Sequence, residues 1–260
     1  MSVGLAGWRI AVVIPDFRAM LAEIEVECED TGTLPGNERV ATFCTHGRDA
    51  LRAWDHLCAA LEPHGYWPII VGEGRWDLLG ACGWRSVAEI LDQAESLDLD
   101  GWLQSRPGDL NLSDLLTEPK RSWPWWPRKR KIAITAHTEF DSPQTRRPRE
   151  RCAGALVPTR ASWELPAEFQ LGDFHESPAA EVHVAMLRRW HQECGLRVVA
   201  AAADRLEVLV EKPPHCRDAA MRLAIEQYLY CPDNVDQGAG TVHDLAVSLW
   251  RAPSWYFWWD

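Results

Sequence analysis

The amino-acid sequence predicts an α+β protein, and three observations carry that expectation. Short β-branched runs are interspersed with segments whose apolar residues recur at i, i+3 and i+4, the spacing of a buried helix face. No long succession of strand–helix–strand units builds a doubly wound sheet, and neither GxGxxG nor GxxxxGK[ST] occurs, so a nucleotide fold has no support. The chain closes on Trp255-Tyr-Phe-Trp-Trp259 before Asp260. Each aromatic can bury roughly 150–250 Å², so this run belongs to a core.

Taken in order, Trp8–Ile14 reads as a strand stopped by Pro15. Phe17, Met20, Leu21 and Ile24 follow at helical spacing before a turn-rich stretch over 31–37. Residues 39–72 read strand, helix, strand: Arg39–Thr45, an amphipathic helix over 49–62 with Leu51, Trp54, Leu57, Cys58 and Leu61 on one stripe, and Trp67–Gly72. Ser86 with Glu89 three residues on has the capping-box spacing and opens a helix through Leu97.

Residues 119–151 change character. They hold ten Lys and Arg against three Asp and Glu, and their prolines discourage regular structure. This gives three regions: an α/β-like N-terminal region over 1–118, a basic Trp- and Pro-rich linker or insert over 119–151, and an α+β domain over 152–260.

In that last region Ala155–Thr159 reads as a strand and Ser177-Pro178 opens a helix with Val182, Met186 and Trp190 inward, closed by Gly195. Leu196–Ala203 and Arg205–Glu211 form a hairpin around Asp204. A helix over 217–230 puts Ala220, Leu223, Ala224 and Tyr228 inward and ends at Pro232. Thr241 with Asp244 opens a final helix through Trp250. The terminal aromatic run then reads as a strand apolar on both faces, as in a central buried strand.

Composition narrows the function. A net charge of -11 disfavours a general nucleic-acid or anionic-membrane binder, since both need a positive face. The eight cysteines form no CxxC and no zinc spacing, the usage of a reducing compartment. With no signal-like N-terminus and no apolar run of about 18 residues, the chain is expected to be cytoplasmic, with no membrane span.

Four strings carry a resemblance: Leu156-Val-Pro-Thr159 with Trp163; Glu181 to His191; Glu226-Gln-Tyr-Leu-Tyr-Cys-Pro-Asp-Asn-Val-Asp-Gln-Gly238; and Trp255 to Asp260. Together they resemble an uncharacterised bacterial family, domain of unknown function 4253, over about the last 110 residues. The resemblance implies a fold unit and no mechanism.

Chemistry has a short candidate list. Cys231 is the available nucleophile, with His191 and His183 as bases, although a thiol at a helix C-terminus faces the negative end of the dipole and is deactivated. Asp233 and Asp236 make an acidic loop that fails the calcium pattern at Val235 and Asp244. With His191 they are the candidate metal set, and with Glu226 the candidate catalytic set of a hydrolase or metal-assisted enzyme. The competing expectation is that these aspartates serve turns and caps. Trp123, Trp125 and Trp126 beside the basic run are the candidate contact for a nucleic acid, against a solvated linker. Trp190, Tyr228, Tyr230, Pro232, Trp255, Phe257, Trp258, Trp259 and Asp260 are expected to be structural, Asp260 either at the solvent end of its strand or docked on Arg188 or Arg189. No cofactor is expected. The leading expectation is a module that binds another protein, regulatory or immunity-like, without catalysis.

Overall fold

A computed structural model describes residues 17–23, 26–33, 39–72, 85–106, 149–173 and 176–260. The run Trp8–Ile14, and Trp123, Trp125 and Trp126 with nearly all of the basic segment, lie outside the described residues.

The chain runs α1 (Phe17–Glu23), β1 (Glu27–Thr33), β2 (Arg39–Thr45), α2 (Gly47–Leu61), β3 (Trp67–Gly72), α3 (Val87–Ser96), α4 (Leu99–Ser105), β4 (Cys152–Val157), α5 (Leu165–Phe169), α6 (Ala180–Cys194), β5 (Leu196–Ala202), β6 (Arg205–Val210), α7 (Arg217–Tyr230), α8 (Val242–Leu249) and β7 (Ser254–Trp258). The fold is α+β, as expected. Most local signals are met: Ser86 and Glu89 form the capping box of α3, Thr241 accepts from the Asp244 amide at the start of α8, and Gly195 ends α6 with φ 69°.

Among the described residues the strands make one seven-stranded sheet in the order β1-β2-β4-β3-β5-β6-β7. Every neighbouring pair is antiparallel except β3 with β5. Strands from both sides of the basic segment therefore interleave, β4 lying between β2 and β3, and β3 between β4 and β5. At the crossing point Gly154 stands opposite Phe43 of β2 and Ile70 of β3. A Cβ there would come within 2.2 Å of the Phe43 ring, so only glycine admits the buried phenyl group.

Helices cover both faces. Trp54 of α2 packs edge-on against Trp67 of β3 at 6.0 Å, and Arg197 of β5 lies over the Trp54 ring. Val208 and Trp255 stand opposite each other one step along from Arg197's partner Leu209, so they face the other way, and Trp255 meets Trp190 of α6 at 5.8 Å.

Three expectations are corrected. Among the described residues the terminal aromatic strand is the end strand of the sheet, not a central one, and its alternation reads accordingly: Trp255, Phe257 and Trp259 are buried, Tyr256 and Trp258 half-buried. The helix signalled by Ser177-Pro178 begins at Ala180, because the Ser177 hydroxyl is used elsewhere. Residues 31–33 of the stretch read as turn-rich over 31–37 belong to β1, whose sequence, Glu-Cys-Glu-Asp-Thr-Gly-Thr, has no apolar alternation to announce a strand.

Candidate functional site

The polar residues singled out by sequence sit at the C-terminal end of α7, where helix gives way to a loop against β7. Helix α7 presents Ala220, Ala224, Tyr228 and Tyr230 to the core and stops at Cys231, after which Pro232 cannot continue the backbone hydrogen-bonding. Residues Asn234–Ala239 then wind into a single π-helical turn closed by Gly240 at φ 82°.

Beneath this loop lies an aromatic cluster. Trp190 stacks on Phe257 at 5.3 Å, Tyr230 meets Trp190, Phe257 and Trp259 edge-on, and His183 packs edge-on against both Tyr230 and Trp259. All are buried. Burial of each large side chain contributes about 1.5–3 kcal/mol, and the edge-to-face pairs add to that.

The loop reaches over this cluster to the backbone of the terminal strand. Cys231 Sγ donates to the Trp258 carbonyl at 3.0 Å, Asn234 Nδ2 donates to the Tyr256 carbonyl at 2.8 Å, and Asp233 Oδ2 accepts from the Asp260 amide at 2.9 Å. Asp233 Oδ1 also accepts from Gln237 Nε2 at 2.9 Å, which braces the carboxylate from inside the loop. Asp236 accepts from the Tyr228 hydroxyl at 3.1 Å. Cys231, Asp233 and Asn234 thus form a clasp on residues 256, 258 and 260.

The remaining candidates are elsewhere. Glu226 accepts from Trp190 Nε1 at 2.6 Å and from Arg189 at 3.1 Å, and Arg189 also pairs with Asp100 at 2.6 Å, which ties α4 and α7 to α6. His191 Nδ1 lies 2.9 Å from the Leu196 carbonyl, and its ring packs on Trp163 at 4.3 Å. His191 and His183 are eight residues apart on α6, roughly 12 Å along its axis. His183 is the one beside the loop. Among the described residues no group of three or more His, Cys, Asp or Glu is placed to hold a metal ion, so the set Asp233, Asp236 and His191 is not assembled. Asp260 is the exposed end of its strand; Arg188 donates instead to the Ala94 carbonyl.

Electrostatics follow burial. The Cys231 thiol is held well above its ordinary range, chiefly by desolvation and further by the neighbouring Asp233 carboxylate, so a thiolate is strongly disfavoured. The His183 imidazole is pushed down from 6.5 to about 3 by burial. Its Nε2 lies 3.1 Å from Ser177 Oγ, and its Nδ1 is hydrogen-bonded to the Tyr230 hydroxyl, whose own proton burial retains. A neutral ring supplies one donor and one acceptor, and a hydroxyl at each nitrogen can match either tautomer.

Hydroxyl, imidazole and phenol in a row have the order of a nucleophile, a base and its orienting group. Ser177, His183 and Tyr230 are nevertheless buried among aromatic side chains, where the chain of bonds satisfies polar groups that would each cost about 1–3 kcal/mol unpaired. Asn234, Ser177 and the role of His183 are what sequence reasoning missed. The clue was present for Asn234, which follows Cys231, Pro232 and Asp233 directly; for Ser177 none existed beyond a helix-start signal that pointed to capping.

Residues 154–260 match the family model described as a domain of unknown function, DUF4253. No curated protein and no solved structure matches the chain. The match begins inside β4, so the matched region includes the clasp and the aromatic cluster, whereas the two strands flanking β4 come from residues before it.

Proposed function

We propose that this chain is a non-catalytic module of the bacterial cytoplasm that binds another protein, in a regulatory or immunity-like role, through an aromatic and acidic surface. One observation supports this above the others: the side chains that a hydrolase or metal-assisted enzyme would use already have structural partners. Cys231, Asp233 and Asn234 hold the terminal strand, Glu226 holds Trp190 and Arg189, and His191 holds the Leu196 carbonyl. A group that orders the fold in this way would have to release its partner before it could act on a substrate, at about 1–3 kcal/mol for each buried bond.

The surface that suits recognition is the side of β7 turned away from the cluster, where the half-buried Tyr256 and Trp258 stand opposite Glu207 and Arg205 of β6. Aromatic side chains of this kind anchor interfaces because they bring large contact area at low entropic cost. Among the described residues no helix is long and apolar enough to cross a membrane.

The test is a photo-crosslinking amino acid placed at Trp258, with the full chain expressed in its own host and irradiated. A single crosslinked protein, lost when an alanine replaces Tyr256 beside it, is the expected result. Uniform recovery of the uncrosslinked chain would overturn the reading.

A further inference from the structure

Strand β7 ends the sheet, so one side of its backbone has no strand partner among the described residues. The register fixes which residues face that side. Val210 N donates to the Pro253 carbonyl and Trp259 N to the Asp204 carbonyl, and the ladder pairs Phe257 with Leu206 and Trp255 with Val208. In an antiparallel ladder the hydrogen-bonded residues alternate, so residues 253, 255, 257 and 259 turn their amides and carbonyls to β6, while 256, 258 and 260 turn theirs outward. These three outward positions are the ones the clasp reaches, with Asn234 on 256, Cys231 on 258 and Asp233 on 260.

We propose that the clasp is an edge guard, an intramolecular contact that keeps β7 from pairing with the β7 strand of a second copy of the chain. A row of outward amides and carbonyls on a strand is a template for strand addition, and proteins blunt such edges with charge, proline, bulges or a covering loop. Strand β7 has none of the first three. Its sequence, Ser-Trp-Tyr-Phe-Trp, carries no charge and no proline, and its pairing with β6 shows no register shift. An antiparallel self-pair would close as a two-fold dimer with like faces meeting like, so aromatic residues would align and no charges would oppose.

The guard is independent of whether the module also binds another protein. It is tested by Asn234→Ala, which removes the side chain covering Tyr256, with self-association measured by sedimentation equilibrium across a range of concentrations. The dimer dissociation constant is expected to fall by at least about tenfold relative to the natural chain. Adding Trp258→Pro to that variant removes an outward amide without touching the β6 ladder, and should restore the natural association state. Should Asn234→Ala fail to fold, Asn234→Ser, which shortens the side chain but keeps it polar, carries the same comparison. A folded variant with unchanged self-association, or a dimer that Trp258→Pro leaves intact, would overturn the proposal.

Discussion

His183 shows how one buried residue sets a property of the molecule. In the folded chain it stays neutral down to a pKa of about 3, whereas in the unfolded chain it takes up a proton near 6.5. Between those values the unfolded state binds more protons, so stability rises with pH there and is level above about 6.5. Each pH unit below that point should cost up to about 1.4 kcal/mol from this group alone. His183→Gln, which keeps an amide between Ser177 and Tyr230, should melt with a shallower acid slope than the natural chain; equal slopes over pH 3–6.5 would refute the assignment. Little of this was legible in sequence. His183 and His191 are both polar residues on one helix, and only the docking of Tyr230 and Trp259 decides which is buried. Cys231 was better served, because its place at a helix end already implied a deactivated thiol, and burial deepens that effect.

Among the elements, α7 was legible from end to end: its apolar spacing and the following Pro232 gave Arg217–Tyr230. The β5–β6 hairpin was equally clear, two β-rich runs around a short turn. Strand β7 was legible as a strand but not in its place, since aromatic content on both faces signals burial without saying what supplies it. Here the side toward α6 is covered by the cluster, and the outward backbone edge is covered by the loop. Trp259 anchors the end of the chain's last strand, with its ring on His183, Tyr230 and Phe257 and its amide bonded to the Asp204 carbonyl. Trp259→Ala should therefore cost about 3–5 kcal/mol, the range for emptying a large aromatic site, and lower the melting temperature accordingly. A loss below 1 kcal/mol by denaturant titration would mean that the end of the strand is not anchored as described.

On the scale of the molecule, the sheet crosses the boundary that composition suggests. The basic segment over 119–151 looks like a divider because its charge and prolines interrupt the pattern on either side, yet pairing between strands distant in sequence leaves no local trace. Strand β4 has β2 and β3 as its neighbours, both from before that segment, and Gly154 admits Phe43 between them. Residues 152–260 expressed alone would leave β4 without either neighbour and β5 without its parallel partner. That fragment should lack a cooperative thermal transition, and a sharp one would show that the C-terminal strands re-pair without help. The Arg85–Glu181 ion pair at 2.8 Å and the Arg189–Asp100 pair tie α3 and α4 to α6 in the same sense, although partly exposed pairs contribute little to stability.

Whether the acidic loop is a fastening or a metal-dependent site is decided by thermal melting of the natural chain and Asp233→Ala, each with a chelator and with added magnesium, manganese or zinc. Removal of the carboxylate leaves the Asp260 amide and Gln237 without their acceptor, so the variant should lose about 1–3 kcal/mol by the same amount in every condition. A metal that raises the melting temperature of the natural chain, with the rise abolished in Asp233→Ala, would contradict the structural role given to the clasp.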